Sequence, residues 1–360
     1  MLKKSSLIGW IAGLKHSDES NASFLEKKYL KILKRCYKVL PEAVSNEPSP
    51  NLPKFASLLE VQDYTLKWVH DPDPAISETI YNGYWRLLLG DLLEALPRQT
   101  GLHDATIFIG EVPDPIFNAE VRDFGRDRYL ILIQRGLELF LYRMSLAIIG
   151  SMRLRIGLPG AHQIVQEPEI DMDTARSIVS RNIEALFHEK HAMPIILKSE
   201  TALALSCNYA YAMQQFIIAH EIGHIMQSVR PYLDASGDLK KAPLSTKSYL
   251  KHPWNKEIVA DFLAANICNG LITTVTSKGY MAQDIAEDVL FEAPYIIFSL
   301  LEALDKFAAS NGIKPWETHP PADLRKSKLL SAQIAQGVHK DYKQMAEERS
   351  KHVGLLTGLI

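Results

Sequence analysis

The pattern of apolar and polar positions predicts a mainly helical chain with one short group of strands. Apolar residues recur every three or four positions, as on the buried face of a helix. The segments with this spacing are 24–39, 53–68, 75–95, 137–157, 172–190, 214–226, 255–269, 281–310 and 324–349. Segments 105–109, 116–121 and 128–133 are instead short and rich in β-branched and aromatic residues, which is typical of strands. We therefore expect an α+β fold, mainly α-helical, with a small, mostly antiparallel sheet.

Several local features refine this prediction. Gly270 is expected to end the helix that starts near residue 255, because glycine favours helix C-termini. Leu329, Leu330 and Ile334 are expected to supply the packing face of an otherwise charged tail helix. Residues 158–170 are expected to be irregular and residues 232–253 to form a polar loop.

Composition and charge narrow the class of protein. The chain has 360 residues, of which 47% are hydrophobic and 23% charged, as in ordinary globular proteins. The net charge of −2 gives no general reason to expect nucleic acid or an anionic membrane as a partner. Three cysteines, an odd number without CxxC spacing, argue against a disulfide framework.

Two apolar segments are candidates for a targeting signal or a membrane span. Residues 7–14 form a short apolar run without a small-x-small cleavage site, so we interpret them as an amphipathic segment. Residues 137–149 contain Glu138 and Arg143 and are too short to cross a bilayer. We expect a cytoplasmic protein without integral membrane association.

The strongest chemical signal is the sequence His220-Glu221-Ile222-Gly223-His224. Histidines at i and i+4 project from one face of a helix, where both imidazoles can bind one metal ion. Glu221 is then placed to act as general base on a water that the metal activates. This HExxH pattern is the signature of zinc peptidases.

A second acidic segment, Glu257-Ile258-Val259-Ala260-Asp261, offers what HExxH lacks. A catalytic zinc ion takes three protein ligands and keeps one open position, and two histidines with a glutamate are a known set. Glu257 is therefore the predicted third ligand. Asp261, about one helical turn later, can accept a hydrogen bond from a ligating histidine and fix its tautomer.

Two explanations compete with a metal site. One is that HExxH is a chance match, and the other is that its histidines and glutamate form a purely structural cluster. The surrounding residues favour a metal site, because 214–226 reads as one strongly apolar helix. Two histidines and a glutamate buried there without partners would be costly, and a metal ion removes that cost.

These motifs resemble the gluzincin peptidases, in which HExxH and a glutamate from a later helix bind zinc. The ExxAD form, continued by Phe262-Leu263-Ala264, is similar to the family of the HtpX heat-shock protease and the CAAX prenyl protease. Thr318 to Arg325 also matches that family's HPxxxxR element, and the step from Phe117-Asn118-Ala119 to Arg135-Gly136-Leu137 resembles its Asn-Ala strand. The family's transmembrane helices have no counterpart here.

The resemblance implies a zincin-like domain over about 101–330, with the sheet above the HExxH helix. Residues 1–100 have no counterpart in the family and are expected to form an N-terminal helical region. Residues 331–360 are expected to form a helical tail, and 150–210 would be an insertion or diverged segment. The cleft would lie between the sheet and the helix.

The resemblance also implies roles for four further residues. His319 would donate a hydrogen bond to the oxyanion, or it is simply a histidine of a surface loop. Arg325 would pair with a carboxylate and fix that loop. Asn118 and Ala119 would bind an extended peptide at the sheet edge, or they belong to an ordinary strand beside the core.

The function predicted from all of these residues is a soluble zinc endopeptidase acting on peptide or protein substrates. One alternative is a regulatory or sensing protein that keeps the zinc fold and acts by binding a partner. Another is a protease so selective that it cuts a single cellular protein. The sequence leaves the oligomeric state undetermined.

Overall fold

The computed structural model describes residues 19–39, 74–96, 102–112, 117–156, 164–188, 193, 195–229, 252–313, 319–335 and 340–358. The apolar run at 7–14, the helix predicted at 53–68 and nearly all of the loop predicted at 232–253 lie outside these residues. The described chain is mainly helical, as predicted, and it has a small mixed sheet.

Nine helices and five strands lie within the described residues. The helices are α1 (Glu19–Val39), α2 (Pro74–Ala95), α3 (Arg135–Gly150), α4 (Met172–His188), α5 (Glu200–Val229), α6 (Pro253–Ser277), α7 (Gln283–Ser310), α8 (Ala322–Ala335) and α9 (Lys340–Thr357). The strands are β1 (Thr106–Val112), β2 (Ala119–Asp123), β3 (Arg128–Gln134), β4 (Leu154–Ile156) and β5 (Ile164–Gln166).

The chain divides into two compact units. One comprises Met1–Leu137 with Ile217–Ser248, and the other comprises Glu138–Phe216 with Tyr249–Ile360. Helix α5 contributes its residues up to Phe216 to the second unit and the remainder to the first. The predicted boundaries of the domains, 1–100, 101–330 and 331–360, stay predictions.

The sheet of the first unit has the order β1-β3-β2. Strand β3 pairs in parallel with β1 and antiparallel with β2, so the expectation of a mostly antiparallel sheet is wrong. Strand β1 is buried throughout and two helices pack on it, which is the usual setting of a parallel strand, whereas the antiparallel β2 carries exposed Arg122 and Asp123.

Helices α1 and α2 both pack on β1. Tyr29 of α1 lies so close to Gly110 that a Cβ atom there would come within 2.3 Å of the tyrosine ring. The Tyr29 hydroxyl donates to the Glu111 carbonyl oxygen at 2.6 Å. The buried Glu111 carboxylate accepts from Trp85 Nε1 at 3.2 Å and from Arg135 Nε at 2.6 Å. These contacts tie both helices to β1.

The second unit is built around α7, which packs against α6, α8 and α9. Helix α9 also packs against α4. Helix α6 runs to Ser277, so the prediction that Gly270 ends it is wrong. Leu271 and Val275 are fully buried, and their packing outweighs the roughly 1 kcal/mol by which glycine disfavours a helix.

Helix α3 ends at Gly150, earlier than the predicted residue 157, and strand β4 follows. A Cβ atom at Gly150 would come within 2.7 Å of Leu197 and 2.8 Å of Ile170. The Gly150 carbonyl accepts hydrogen bonds from the amides of Glu169 and Ile170, so tertiary contacts terminate this helix. Strand β5 lies within the segment that was expected to be irregular.

The tail is described as two helices, α8 and α9, where one helix was predicted over 324–349. Leu329 is buried, as expected. Ile334 is 46% exposed, so its predicted packing role is wrong.

Helix α6 alone among the described helices is long and apolar enough to cross a membrane. However, 67% of its most apolar window is buried inside the protein. One such helix is weak evidence for a membrane span, because the core helix of a water-soluble protein passes the same test.

Candidate metal centre

Helix α5 carries the HExxH sequence in its last third. The residues around the motif are almost all apolar and buried, including Ile218 and Ile222, which are fully enclosed. His220 is 9% exposed and Glu221 is 7% exposed. Polar groups at this depth require partners or a ligand, because burying them unpaired is costly.

The two histidine rings converge on one point. His220 Nε2 and His224 Nε2 lie 3.1 Å apart, and the ring planes are inclined at 88°. Two nitrogens bound to one tetrahedral zinc ion would lie roughly 3.3 Å apart, given Zn–N distances of about 2.0–2.1 Å. The observed separation therefore fits a pair of ligands to one metal.

Helix α6 supplies Glu257 shortly after its beginning. Pro253 lies in the first turn, where its missing N–H is not needed, and the His252 side chain accepts from the Trp254 amide at 3.3 Å. The helix therefore begins one turn before Glu257, whose side chain is largely buried.

The potential ligand atoms of His220, His224 and Glu257 all lie within 4.8 Å of one another. This is the one group of three or more histidine, cysteine or acidic residues with metal-ligand spacing among the described residues. Two imidazole nitrogens and a carboxylate oxygen are a donor set that zinc accepts readily. The residues present thus fit a metal ion, as the sequence predicted.

Asp261 and Arg325 form a buried ion pair beside Glu257. Arg325 donates from Nε to Asp261 Oδ2 at 2.8 Å and from Nη2 to Asp261 Oδ1 at 2.6 Å. Such two-pronged pairs fix geometry as well as charge. The expected carboxylate partner of Arg325 is confirmed, while the predicted support of a histidine by Asp261 stays a prediction.

The same arginine also approaches the predicted third ligand. Arg325 Nη2 lies 3.9 Å from Glu257 Oε2, and the guanidinium lies 5.2 Å from the centre of the Phe298 ring on α7. Because Arg325 faces both carboxylates of α6, it holds α8 against the segment that presents Glu257. One arginine is therefore shared between two acidic side chains.

His319 lies next to Glu257. Its Nε2 is 3.6 Å from Glu257 Oε2, and its side chain is 41% exposed. An exposed imidazole that also reaches a potential metal ligand can meet a molecule arriving from solvent. The location agrees with a role at the site, and the specific role as oxyanion donor stays a prediction.

Asn118 and Ala119 lie where strand β2 begins. Ala119 is opposite Ile133 in the antiparallel pair, and the Asn118 carbonyl accepts from the Gln134 amide at 3.1 Å. Strand β2 is an edge strand of the described sheet, as the prediction required, and its location beside the cleft stays a prediction. Binding of a peptide by these residues stays a prediction.

Sequence reasoning missed a second buried polar cluster, formed by Tyr209 of α5, Glu292 of α7 and Arg349 of α9. Tyr209 Oη donates to Glu292 Oε2 at 2.5 Å, and Arg349 donates to both. The available signal was Glu292 itself, a carboxylate within the apolar run of 281–310. A charge in such a run is a candidate for burial with a partner.

No protein-family model matches this chain, and comparisons with curated proteins and with solved structures found no significant match. The predicted resemblance to gluzincin peptidases stays a prediction that rests on the motifs quoted above.

Proposed function

We propose that this protein is a zinc-dependent endopeptidase. The observation that carries the proposal is the convergence of His220, His224 and Glu257, whose ligand atoms lie within 4.8 Å of one another. Glu221 follows His220 directly and is buried, as a general base beside a metal site should be.

Three protein ligands leave one coordination position open, which distinguishes catalytic from structural zinc sites. A zinc ion there would lower the pKa of a water molecule and polarise a peptide carbonyl. The absence of a cysteine from the group also argues against a structural site, because structural zinc sites commonly use cysteine ligands.

The protein's own groups complete the reaction. Glu221 accepts a proton as the water oxygen bonds to the carbonyl carbon, and it returns that proton to the amide nitrogen as the C–N bond breaks. His319 donates a hydrogen bond to the carbonyl oxygen as negative charge develops there. Donation of this kind is typically worth about 3 kcal/mol of barrier.

A polypeptide is the substrate class that suits the rest of the protein. The edge strand β2 begins at Asn118-Ala119 and can pair with an extended peptide through backbone hydrogen bonds. Hydrolysis of peptide or protein substrates in the cytoplasm is the activity that we propose, with no nucleic acid partner.

The decisive test compares Glu221→Gln with Glu257→Ala in the full chain, using metal content by mass spectrometry and cleavage of a proteome-derived peptide library. Glu221→Gln should retain about one zinc ion per chain and lose cleavage by about 100-fold or more. Glu257→Ala should lose the metal.

Glu200→Gln is the matched control, since Glu200 is an exposed residue in the first turn of the same helix. It should alter neither metal content nor cleavage. Full activity of Glu221→Gln, or full zinc content of Glu257→Ala, would contradict the proposal.

A further inference from the structure

The cluster of Tyr209, Glu292 and Arg349, here called the three-helix node, joins α5, α7 and α9 at one buried point. Arg349 Nε donates to Glu292 Oε2 at 2.5 Å, and Arg349 Nη2 donates to Tyr209 Oη at 2.9 Å. Tyr209 in turn donates to the same Glu292 oxygen at 2.5 Å. The hydroxyl thus acts as donor and acceptor together.

The buried contacts of the node restrict the movement of its three side chains. Glu292 is almost completely buried, and the Arg349 guanidinium also lies 5.2 Å from the centre of the Tyr209 ring. Burial raises the pKa of Tyr209 well above its ordinary value, so the hydroxyl keeps its proton. A buried pair that is fully hydrogen-bonded holds a specific geometry, because any displacement leaves a charge unpaired.

The location of the node connects it with the candidate metal centre. Tyr209 lies on α5, about three turns before His220. Helix α7, which supplies Glu292, also packs on α6, which carries Glu257. Further along α5 and α7, Phe216 and Phe298 meet edge to face at 5.9 Å, and Phe298 is the ring that Arg325 approaches.

We propose that Tyr209, Glu292 and Arg349 are positioning residues for the metal centre. They fix the orientation and axial position of α5 against α7, and so the position from which α5 presents its two histidines. Helix α9, which carries Arg349, thereby restrains helix α5, which carries the two histidines. This inference rests on the metal-binding part of the proposed function.

Tyr209→Phe is the sharpest variant, because it removes only the hydroxyl. The Arg349–Glu292 pair and the aromatic packing stay in place, so α9 remains docked on α7 while α5 loses its hydrogen bonds to both helices. Tyr342→Phe is the matched control. Tyr342 lies on α9 and donates to Glu287 Oε2 of α7 at 3.1 Å, so its loss weakens the contact between α9 and α7 but leaves the node intact.

The experiment is a titration of metal-free full-length protein with cobalt chloride, followed by the visible absorption of bound Co²⁺. The apparent affinity of Tyr209→Phe should fall by about threefold to tenfold, with a changed band shape. Tyr342→Phe should match the wild type in both Co²⁺ affinity and band shape. Arg349→Lys, which keeps the charge but not the forked donor, should change in the same direction as Tyr209→Phe.

Thermal unfolding of the metal-free proteins separates positioning from plain stability. If Tyr209→Phe lowers the unfolding temperature but leaves the Co²⁺ affinity and spectrum of the wild type, the node is only structural and the inference is overturned. If the wild type itself gives no Co²⁺ spectrum, the metal site of the proposed function fails, and the inference falls with it. Loss of peptide cleavage alone affects neither readout.

Discussion

Two buried arginines each face two carboxylates, and the two clusters differ in what balances the second negative charge. Arg325 pairs with Asp261 and lies 3.9 Å from Glu257. Arg349 pairs with Glu292 and also attracts the half-buried Asp288, one turn earlier on α7. Each arginine therefore faces at least one carboxylate more than its own charge balances.

At the first cluster the additional carboxylate, Glu257, lies within ligand distance of two histidines, so a metal cation can balance it. At the second, burial and the neighbouring Glu292 raise the pKa of Asp288 to about 6, so a proton balances this charge only below about pH 6. Of these two clusters, the first alone brings imidazole nitrogens together with its additional carboxylate, so that carboxylate is the one that could serve as a metal ligand.

The largest expected effect comes from removing the arginine at the first cluster. Arg325→Met leaves Asp261, which is 1% exposed, without its charged partner. We expect the free energy of unfolding to fall by about 3–5 kcal/mol, because a buried charge loses its compensation. Urea unfolding of metal-free protein measures this.

The control for that variant is Arg153→Met. Arg153 pairs with Glu167 at 2.9 Å, but both side chains are 65% exposed. Exposed pairs are worth about 0–1 kcal/mol, so this variant should unfold almost like the wild type. If Arg325→Met and Arg153→Met lose equal amounts of unfolding free energy, burial does not make one ion pair stronger than the other.

An intermediate effect on stability is expected when zinc is added, and it should arise only at the first cluster. Zinc at about 100 times its dissociation constant should stabilise the wild type by about 2.7 kcal/mol, because only the folded state presents the ligands together. Glu257→Gln should lose most of this gain, and Asp288→Asn should keep it. If zinc stabilises Glu257→Gln as much as the wild type, the claim that a metal cation balances Glu257 is contradicted.

The smallest effect is a pH dependence that arises at the second cluster. The pKa of Asp288 is raised from 3.8 to about 6, first by burial and then by the carboxylates Glu292, Asp284 and Glu287, against the opposing effect of Arg349. The folded state therefore binds this proton more tightly than the unfolded state. Its contribution to stability is present at low pH and is lost as pH rises from about 4 to about 6.

Asp288→Asn removes this dependence. Since Asp288 is only half-buried, solvent screening reduces the effect to about 1 kcal/mol, by which the variant should exceed the wild type at pH 7. Urea unfolding of both metal-free proteins across this pH range gives the difference. A constant difference between the two proteins would contradict the assigned titration.

The elements with strong local patterns were predicted correctly from sequence. Helices α1, α2, α4 and α7 match their predicted segments to within a few residues, except that the N-terminus of α1 begins earlier. Strands β1 and β3 were also predicted correctly, because continuous apolar runs identify buried strands. The errors include the pairing of β1 with β3, the single tail helix, and the expectations for Gly270, Gly150 and Ile334. Contacts distant in sequence decided the first of these and the helix ends at the two glycines.

The candidate site shows the same division. The spacing of His220 and His224 on one helix face is a local property, so sequence alone predicted that their rings would converge. The pairing of Arg325 with Asp261 was anticipated only as a carboxylate partner of unspecified identity. The three-helix node escaped prediction, because Tyr209, Glu292 and Arg349 are far apart in the chain.

By itself, the sequence determined the helical character, the two strongest strands and the residue types that could hold a metal. These follow from periodicity and spacing, which act over a few residues. Only the tertiary structure decided that β3 lies between β1 and β2, that α6 continues past Gly270, and which acidic group each buried arginine pairs with. Those outcomes depend on burial and charge compensation between segments far apart in the chain, and no local pattern encodes them.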